Sequence, residues 1–341
     1  MDKVKKYLGA LEAVFRSAPD KHEANRRSAA VLEDMSGDPG FLGGALERHL
    51  RAPGSLNQKH YPVLGFNADL NPHFGLAVNC WIPLPDRRSD VSTKAIHHHG
   101  DMLLSTVNAF GPGYEHWTFT RPELLDAASE RYEMRLAGRE SHPPNHVAFV
   151  DSYVPHLPFY PSATSVTYAL WSSRFPVTWK DRVKRVPVFQ KNSAALRARA
   201  VRAGLARKLE LKVVEYFDFY PTEGGFCGIR ERTEFERGPN EDYLHSLFHV
   251  CQATGNERLA AVALERVEAG DERLENAGLV RRLAEDLRAG RPVEGRLSPT
   301  HYGVPRANFT RDETERALAA QRGGGAASSS SAAPARAAAE V

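Results

Sequence analysis

Three consecutive histidines, His97, His98 and His99, followed by Gly100 and Asp101, are the residues whose type and spacing point most directly to chemistry. On an extended strand side chains alternate between faces, so His97 and His99 point one way and His98 the other. Two neutral imidazoles two residues apart converge on one ion, and a third ligand from a neighbouring strand completes a facial set with open positions for substrate or oxygen. The candidate third ligand is His156, within Asp151-Ser-Tyr-Val-Pro-His-Leu-Pro-Phe-Tyr160, where a strand is expected to end in a proline-flanked turn that fixes the imidazole. A different set is also spelled out, because His99 and Asp101 have the His-x-Asp spacing that, with a distal histidine, serves 2-oxoglutarate-dependent oxygenases.

Such ligands need a rigid scaffold, and the composition supplies one. The 341 residues are 42% hydrophobic and 26% charged, with a mean hydropathy of −0.45, which is globular composition rather than that of a disordered or membrane-embedded chain. Lys plus Arg, 45, nearly balance Asp plus Glu, 42, so charge gives no argument for a nucleic-acid partner. No apolar run is long enough to cross a bilayer, and the charged N-terminus is unlike a signal peptide, so no membrane partner is expected and a cytoplasmic location is. Cys80, Cys227 and Cys251 are odd in number and form no CxxC pair, so a metal would rest on other ligands.

The positioning elements follow from hydrophobic spacing. Val4, Leu8, Leu11 and Phe15 are helical in period, in a segment interrupted by Pro19, Gly37–Gly40 and Gly43–Gly44. Beyond Pro53–Gly54 short apolar runs recur between Gly/Pro turns: Phe74–Ile82, Leu103–Phe110, Trp117–Phe119, His146–Tyr153, Ser165–Trp171, Leu211–Phe219 and Phe226–Phe235. Many short strands with such turns predict an antiparallel sandwich or barrel. After Pro239 helices are expected near Asp242–Ala253, Glu257–Ala269 and Glu275–Ala289. The fold class is therefore mainly β with helical additions. A helical segment spans 1–58, a β-barrel spans 59–236 with a basic helical insert near 191–208, and a helical region spans 237–292. An extended segment and a low-complexity tail, disordered from about Ala319, occupy 293–341.

The stretch Phe74-Gly-Leu-Ala-Val-Asn-Cys-Trp-Ile-Pro, followed by Ser92 to His97-His-His-Gly-Asp101, resembles the first motif of cupins, in particular the cysteine dioxygenase-like thiol dioxygenases. Val147-Ala-Phe-Val-Asp-Ser-Tyr-Val-Pro-His156 with Ser165-Val-Thr-Tyr-Ala-Leu-Trp-Ser-Ser resembles the second. The match covers roughly residues 60–175. It implies a jelly-roll barrel and Fe(II) held by His97, His99 and His156. The glutamate that many cupins carry after the histidines is replaced by Met102-Leu-Leu-Ser105, which fits the three-histidine subgroup. The family's Tyr-x-Arg, whose arginine pairs with the substrate carboxylate, is replaced by Tyr61-Pro-Val63, which points to a substrate other than plain cysteine.

Three further residues are catalytic candidates. Tyr160 lies four residues beyond His156, with a hydroxyl that could reach substrate or oxygen, and Arg174, beyond the following strand, could replace the missing carboxylate clamp. His116 follows the Gly111-Pro-Gly113 turn with Tyr114 and Glu115 and could act as a ligand or in acid/base chemistry. His245 and His249 share a helix face but lack the HExxH glutamate and are expected to pack. P-loop, Rossmann and G-x-S-x-G signatures are absent. The expected function is a mononuclear non-haem Fe(II) oxygenase using O₂ on a small polar metabolite. The 2-oxoglutarate enzyme and a non-redox cupin, an isomerase or a ligand-binding regulator, are the alternatives, and the oligomeric state is open.

Overall fold

A computed structural model describes residues 2–59, 63–83, 96–128, 131–172, 215–220, 225–230, 238–270, 273–295 and 311–324. Helix α1 (Lys3–Ser17) begins where the Asp2 carboxylate accepts hydrogen bonds from the N–H groups of Val4 and Lys5, and it buries Val4, Tyr7, Leu11 and Phe15 on one face. Asp20 caps α2 (Lys21–Ser36) and Asp38 caps α3 (Pro39–Arg51), whose first turn accepts proline. Gly43 and Gly44, read from sequence as an interruption, lie inside α3. A Cβ on Gly44 would stand 2.8 Å from Val4 Cγ2, so glycine there lets α3 lie close against α1.

The strands form two antiparallel sheets. The first contains β1 (Leu64–Leu70), β2 (Gly75–Trp81), β4 (Leu103–Phe110), β9 (Val147–Val150) and β11 (Ser165–Ser172), in the order β1-β2-β11-β4-β9. The second contains β3 (Ile96–His98), β5 (Glu115–Phe119), β6 (Glu123–Asp126), β7 (Arg131–Glu133), β8 (Leu136–Ser141), β10 (His156–Pro158), β12 (Glu215–Tyr220) and β13 (Gly225–Arg230). Its order is β6-β7-β13-β12-β3-β10-β5-β8. Mainly β with helical additions is thus the architecture. Two expectations change in detail. The run His146–Tyr153 is a strand only through Val150 before the chain turns, with Tyr153 at φ 60°, and His156 sits in the short strand β10 rather than in a turn. The helical insert expected near 191–208 lies outside the described residues.

The central strands of the first sheet are buried on both faces, which is why β11, Ser-Val-Thr-Tyr-Ala-Leu-Trp-Ser, is hidden almost throughout. Leu76, Val78, Cys80, Val166, Tyr168 and Leu170 point outward into a core shared with α1–α3. The same core takes in α4 (Asn240–Ala253), α5 (Leu259–Ala269) and α6 (Ala277–Arg288), so helices from both ends of the chain pack on one sheet face. Residues of opposite parity, among them Asn79, Trp81, Ala169 and Trp171, face the second sheet.

The C-terminal stretch differs from its sequence reading. Where an extended segment and a tail disordered from about Ala319 were expected, α7 covers Arg311–Gly324. Leu318 is buried in a cluster with Ile96, Trp117, Phe119, Met134, Leu157 and Phe159, on the outer face of the second sheet. Arg311 lies 2.6 Å from the Glu115 carboxylate and stacks over the Phe159 ring at 5.0 Å. The Ala, Leu, Glu, Arg and Gln of this segment favour a helix, and apolar surface that only the folded sheet presents fixes it in place.

Candidate metal centre

Strand β10 is hydrogen-bonded between β3 and β5, so His156 lies opposite His97 on one side and Thr118 on the other. Direct cross-strand partners on one face bring their side chains together. The rings of His97 and His156 accordingly stand 4.5 Å apart between centroids. His99, one residue beyond β3, completes the group at 4.8 Å from His97 and 5.2 Å from His156. One ligand nitrogen from each ring lies within 4.8 Å of the others. His98 turns away, as strand alternation requires: its Nδ1 accepts the Gly100 N–H at 3.1 Å and its ring meets the edge of Tyr153.

The environment keeps His99 and His156 uncharged. Burial pushes His156 down to about 3 and His99 well below the ordinary histidine value, with the neighbouring imidazoles adding to the effect. Neutral imidazole is the form that ligates a transition metal. His156 Nδ1 faces the Val154 carbonyl oxygen at 3.3 Å, which leaves Nε2 for an ion. Trp171 packs on His99 at 4.4 Å. Three converging imidazole donors, two of them buried and one with its orientation fixed, fit a divalent transition ion.

The three histidines open onto a cavity of about 290 Å³ between the two sheets. The first sheet contributes Asn79, Trp81, Thr106 and Trp171; the second contributes His116 and Pro158; Tyr114 closes the wall between them. No Lys, Arg, Asp or Glu is among the lining side chains in the described residues. His116 is therefore on the wall. Tyr160, 2% exposed, is buried away from it, and Arg174 lies outside the described residues. The Asp101 carboxylate does not join the cluster. Its backbone oxygen instead accepts hydrogen bonds from Lys21 Nζ at 2.6 Å and Ser152 Oγ at 2.9 Å.

Sequence reading assigned no role to Tyr114, Thr106 or His142. His142 Nε2 and Thr106 Oγ1 are 2.7 Å apart, and the His142 ring stacks on Tyr114 at 4.3 Å. The one usable signal was the Gly111-Pro-Gly113 turn. Gly113 has φ 76°, and a Cβ there would stand 1.8 Å from the His142 carbonyl oxygen, so only glycine lets Tyr114 settle beside His142. Desolvation pushes the Tyr114 hydroxyl up to about 12 and His142 down to about 4.

No family model matches the sequence, and no curated protein matches it. Solved structures do match in part. A DMSP lyase, DddQ, from Ruegeria pomeroyi DSS-3 aligns at 12% identity and TM-score 0.25, over 52% of this chain and 94% of its own. A sugar phosphate isomerase from a cupin superfamily, from Silicibacter pomeroyi DSS-3, aligns at 10% identity and TM-score 0.21, over 49% and 71%. A structure from a study of the DMSP lyases RdDddP and RnDddQII aligns at 15% identity and TM-score 0.23, and this chain spans 46% of its length. Superpositions this loose say nothing about the activity of this chain, which rests on its own residues.

Proposed function

We propose that this chain is a cupin-type metalloenzyme in which His97, His99 and His156 hold one Fe(II), and that it oxidises a small polar molecule with O₂. The observation that supports this most is the convergence of three imidazoles, with no carboxylate among the described residues, on the wall of a cavity between the two sheets. Fe(II) held this way supplies a cationic centre with open positions where an anionic or chelating substrate and O₂ can meet. The protein does the rest. Val154 fixes the His156 ring, and Trp171 packs against His99. Trp81, Tyr114 and Trp171 make the walls apolar, which excludes water and confines the substrate. Of the two catalytic candidates among the described residues, His116 is on that wall and Tyr160 is not.

The alternative that uses Asp101 as a ligand is disfavoured by the position of its carboxylate outside the cluster. The test is anaerobic loading with Fe(II), then oxygen uptake across a panel of small thiols and hydroxylated metabolites, with and without 2-oxoglutarate. One iron per chain and substrate-dependent uptake without 2-oxoglutarate is the expected result. Retention of zinc alone, with no uptake on any substrate, would favour the non-redox reading; uptake only with 2-oxoglutarate would favour the other oxygenase.

A further inference from the structure

His116 is 3% exposed, and its Nε2 is fully buried with no hydrogen-bond partner among the described residues. The nearest carboxylate oxygen, on Glu140, is 3.7 Å away, beyond hydrogen-bonding range. The ring is held from two sides by His142 at 4.7 Å and Tyr114 at 6.3 Å between centroids, so it is not free to swing out to solvent. Leaving a buried polar nitrogen unmet is unfavourable by about 1–3 kcal/mol, and native proteins rarely tolerate it without a use. Here the ring lines the same cavity as the three-histidine cluster.

Its position relative to that cluster follows from strand register. On β5 and β10, His156 pairs with Thr118 and Pro158 with His116, so His116 and His156 are diagonal neighbours on one face. Diagonal neighbours in an antiparallel pair stand about 7–8 Å apart. That spacing between strand positions leaves room between the two side chains for a molecule of two or three carbons bound to the ion at one end. Among the described residues the lining carries no charged side chain that would select a second carboxylate or ammonium group. The neutral imidazole instead offers one N–H donor and one lone pair.

We propose that His116 is the specificity-determining residue of the cavity: it hydrogen-bonds an uncharged polar group, such as a hydroxyl, carried two or three carbons from the atom that binds the metal. The inference rests on the three-histidine metal reading and adds the chemistry of the substrate's far end. It gives His116 a binding role toward substrate rather than a fourth ligand role.

The test uses the full chain loaded with Co(II) and two probes of similar size, 2-mercaptoethanol and propane-1-thiol, which differ in the terminal hydroxyl. Titration is followed by the thiolate-to-cobalt absorption band. The wild-type protein should bind 2-mercaptoethanol about three- to tenfold more tightly than propane-1-thiol, the worth of one neutral hydrogen bond. In His116→Phe and His116→Leu the preference should vanish while cobalt content and propane-1-thiol binding persist, and His116→Gln, which keeps a donor and an acceptor, should restore part of it. Two different apolar replacements guard against one that merely fails to pack, and melting temperature reports on folding. Equal binding of both thiols by the wild type, or a preference that survives both apolar variants, would overturn the role of His116 alone. Absence of cobalt binding, or of a thiolate band with either probe, would overturn the metal reading and this inference with it.

Discussion

At the scale of single residues, the site depends on which of three adjacent histidines face inward. His97 and His99 share a wall with His156, whereas His98 accepts the Gly100 N–H and serves the turn. Substituting His97, His99 or His156 with alanine should each reduce metal to a small fraction of one ion per chain. His98→Ala should leave metal content intact and lower stability by about 1 kcal/mol through the lost turn hydrogen bond. Metal analysis of the four purified variants checks this. Loss of metal in His98→Ala with retention in His97→Ala would mean that the strand register is shifted by one residue.

At the scale of elements, α2 and α7 hold the site from opposite sides. Lys21, in the first turn of α2, donates to the Asp101 carbonyl oxygen and to Ser152 Oγ, and the Tyr153 N–H donates to the Gly100 carbonyl oxygen at 2.7 Å. These bonds tie the turn after His99 to the turn before His156. Lys21→Met should therefore weaken metal affinity by about tenfold, as removal of supporting contacts around ligands does, and Lys21→Arg should recover part of it. Competition with a chelator measures the change; unchanged affinity in Lys21→Met would show that the turns are held without it. On the other side, α7 covers Trp117 and Phe159, the outward neighbours of His116 and of the β10 strand that carries His156. Leu318→Ala should lower stability by about 2 kcal/mol, and truncation after residue 310 should cost more by uncovering the whole cluster. Denaturant unfolding of both variants provides the comparison, and a truncated chain as stable as the full one would refute a structural role for α7.

At the scale of the whole molecule, several buried histidines make the fold acid-sensitive. Desolvation lowers His49 to about 4, His116 to about 3, His142 to about 4 and His156 to about 3. In the unfolded chain each titrates near 6.5, so between that value and about 3–4 the unfolded state binds more protons than the folded one. Stability is therefore fully present above pH 6.5 and is lost as pH falls through that window. For His49, whose Nε2 is 2.6 Å from the Tyr243 hydroxyl oxygen in the helix-side core, the loss between pH 7 and pH 5 is about 2 kcal/mol. Denaturation midpoints should fall steeply from pH 7 to pH 5, and His49→Gln should flatten the slope. A midpoint independent of pH over this range would contradict the buried, neutral state of these rings.

The sequence by itself determined the local terms. Helical spacing in Val4, Leu11 and Phe15, the strand character of Leu103–Phe110 and Ser165–Trp171, and the parity that separates His97 and His99 from His98 are all properties of a few adjacent residues. Gly43 and Gly44 misled because their meaning is a close approach between helices, not a break in one. Only the tertiary structure decided what depends on distant partners. It placed His156 opposite His97 through β-sheet register, brought Tyr114 against His142 across a glycine turn, and left Tyr160 off the cavity wall. It also ordered α7 on an apolar face built from strands some two hundred residues earlier in the chain. Cross-strand register and docking surfaces are long-range pairings with no local signature, so the candidate ligand types were legible in the sequence while the cavity that surrounds them was not.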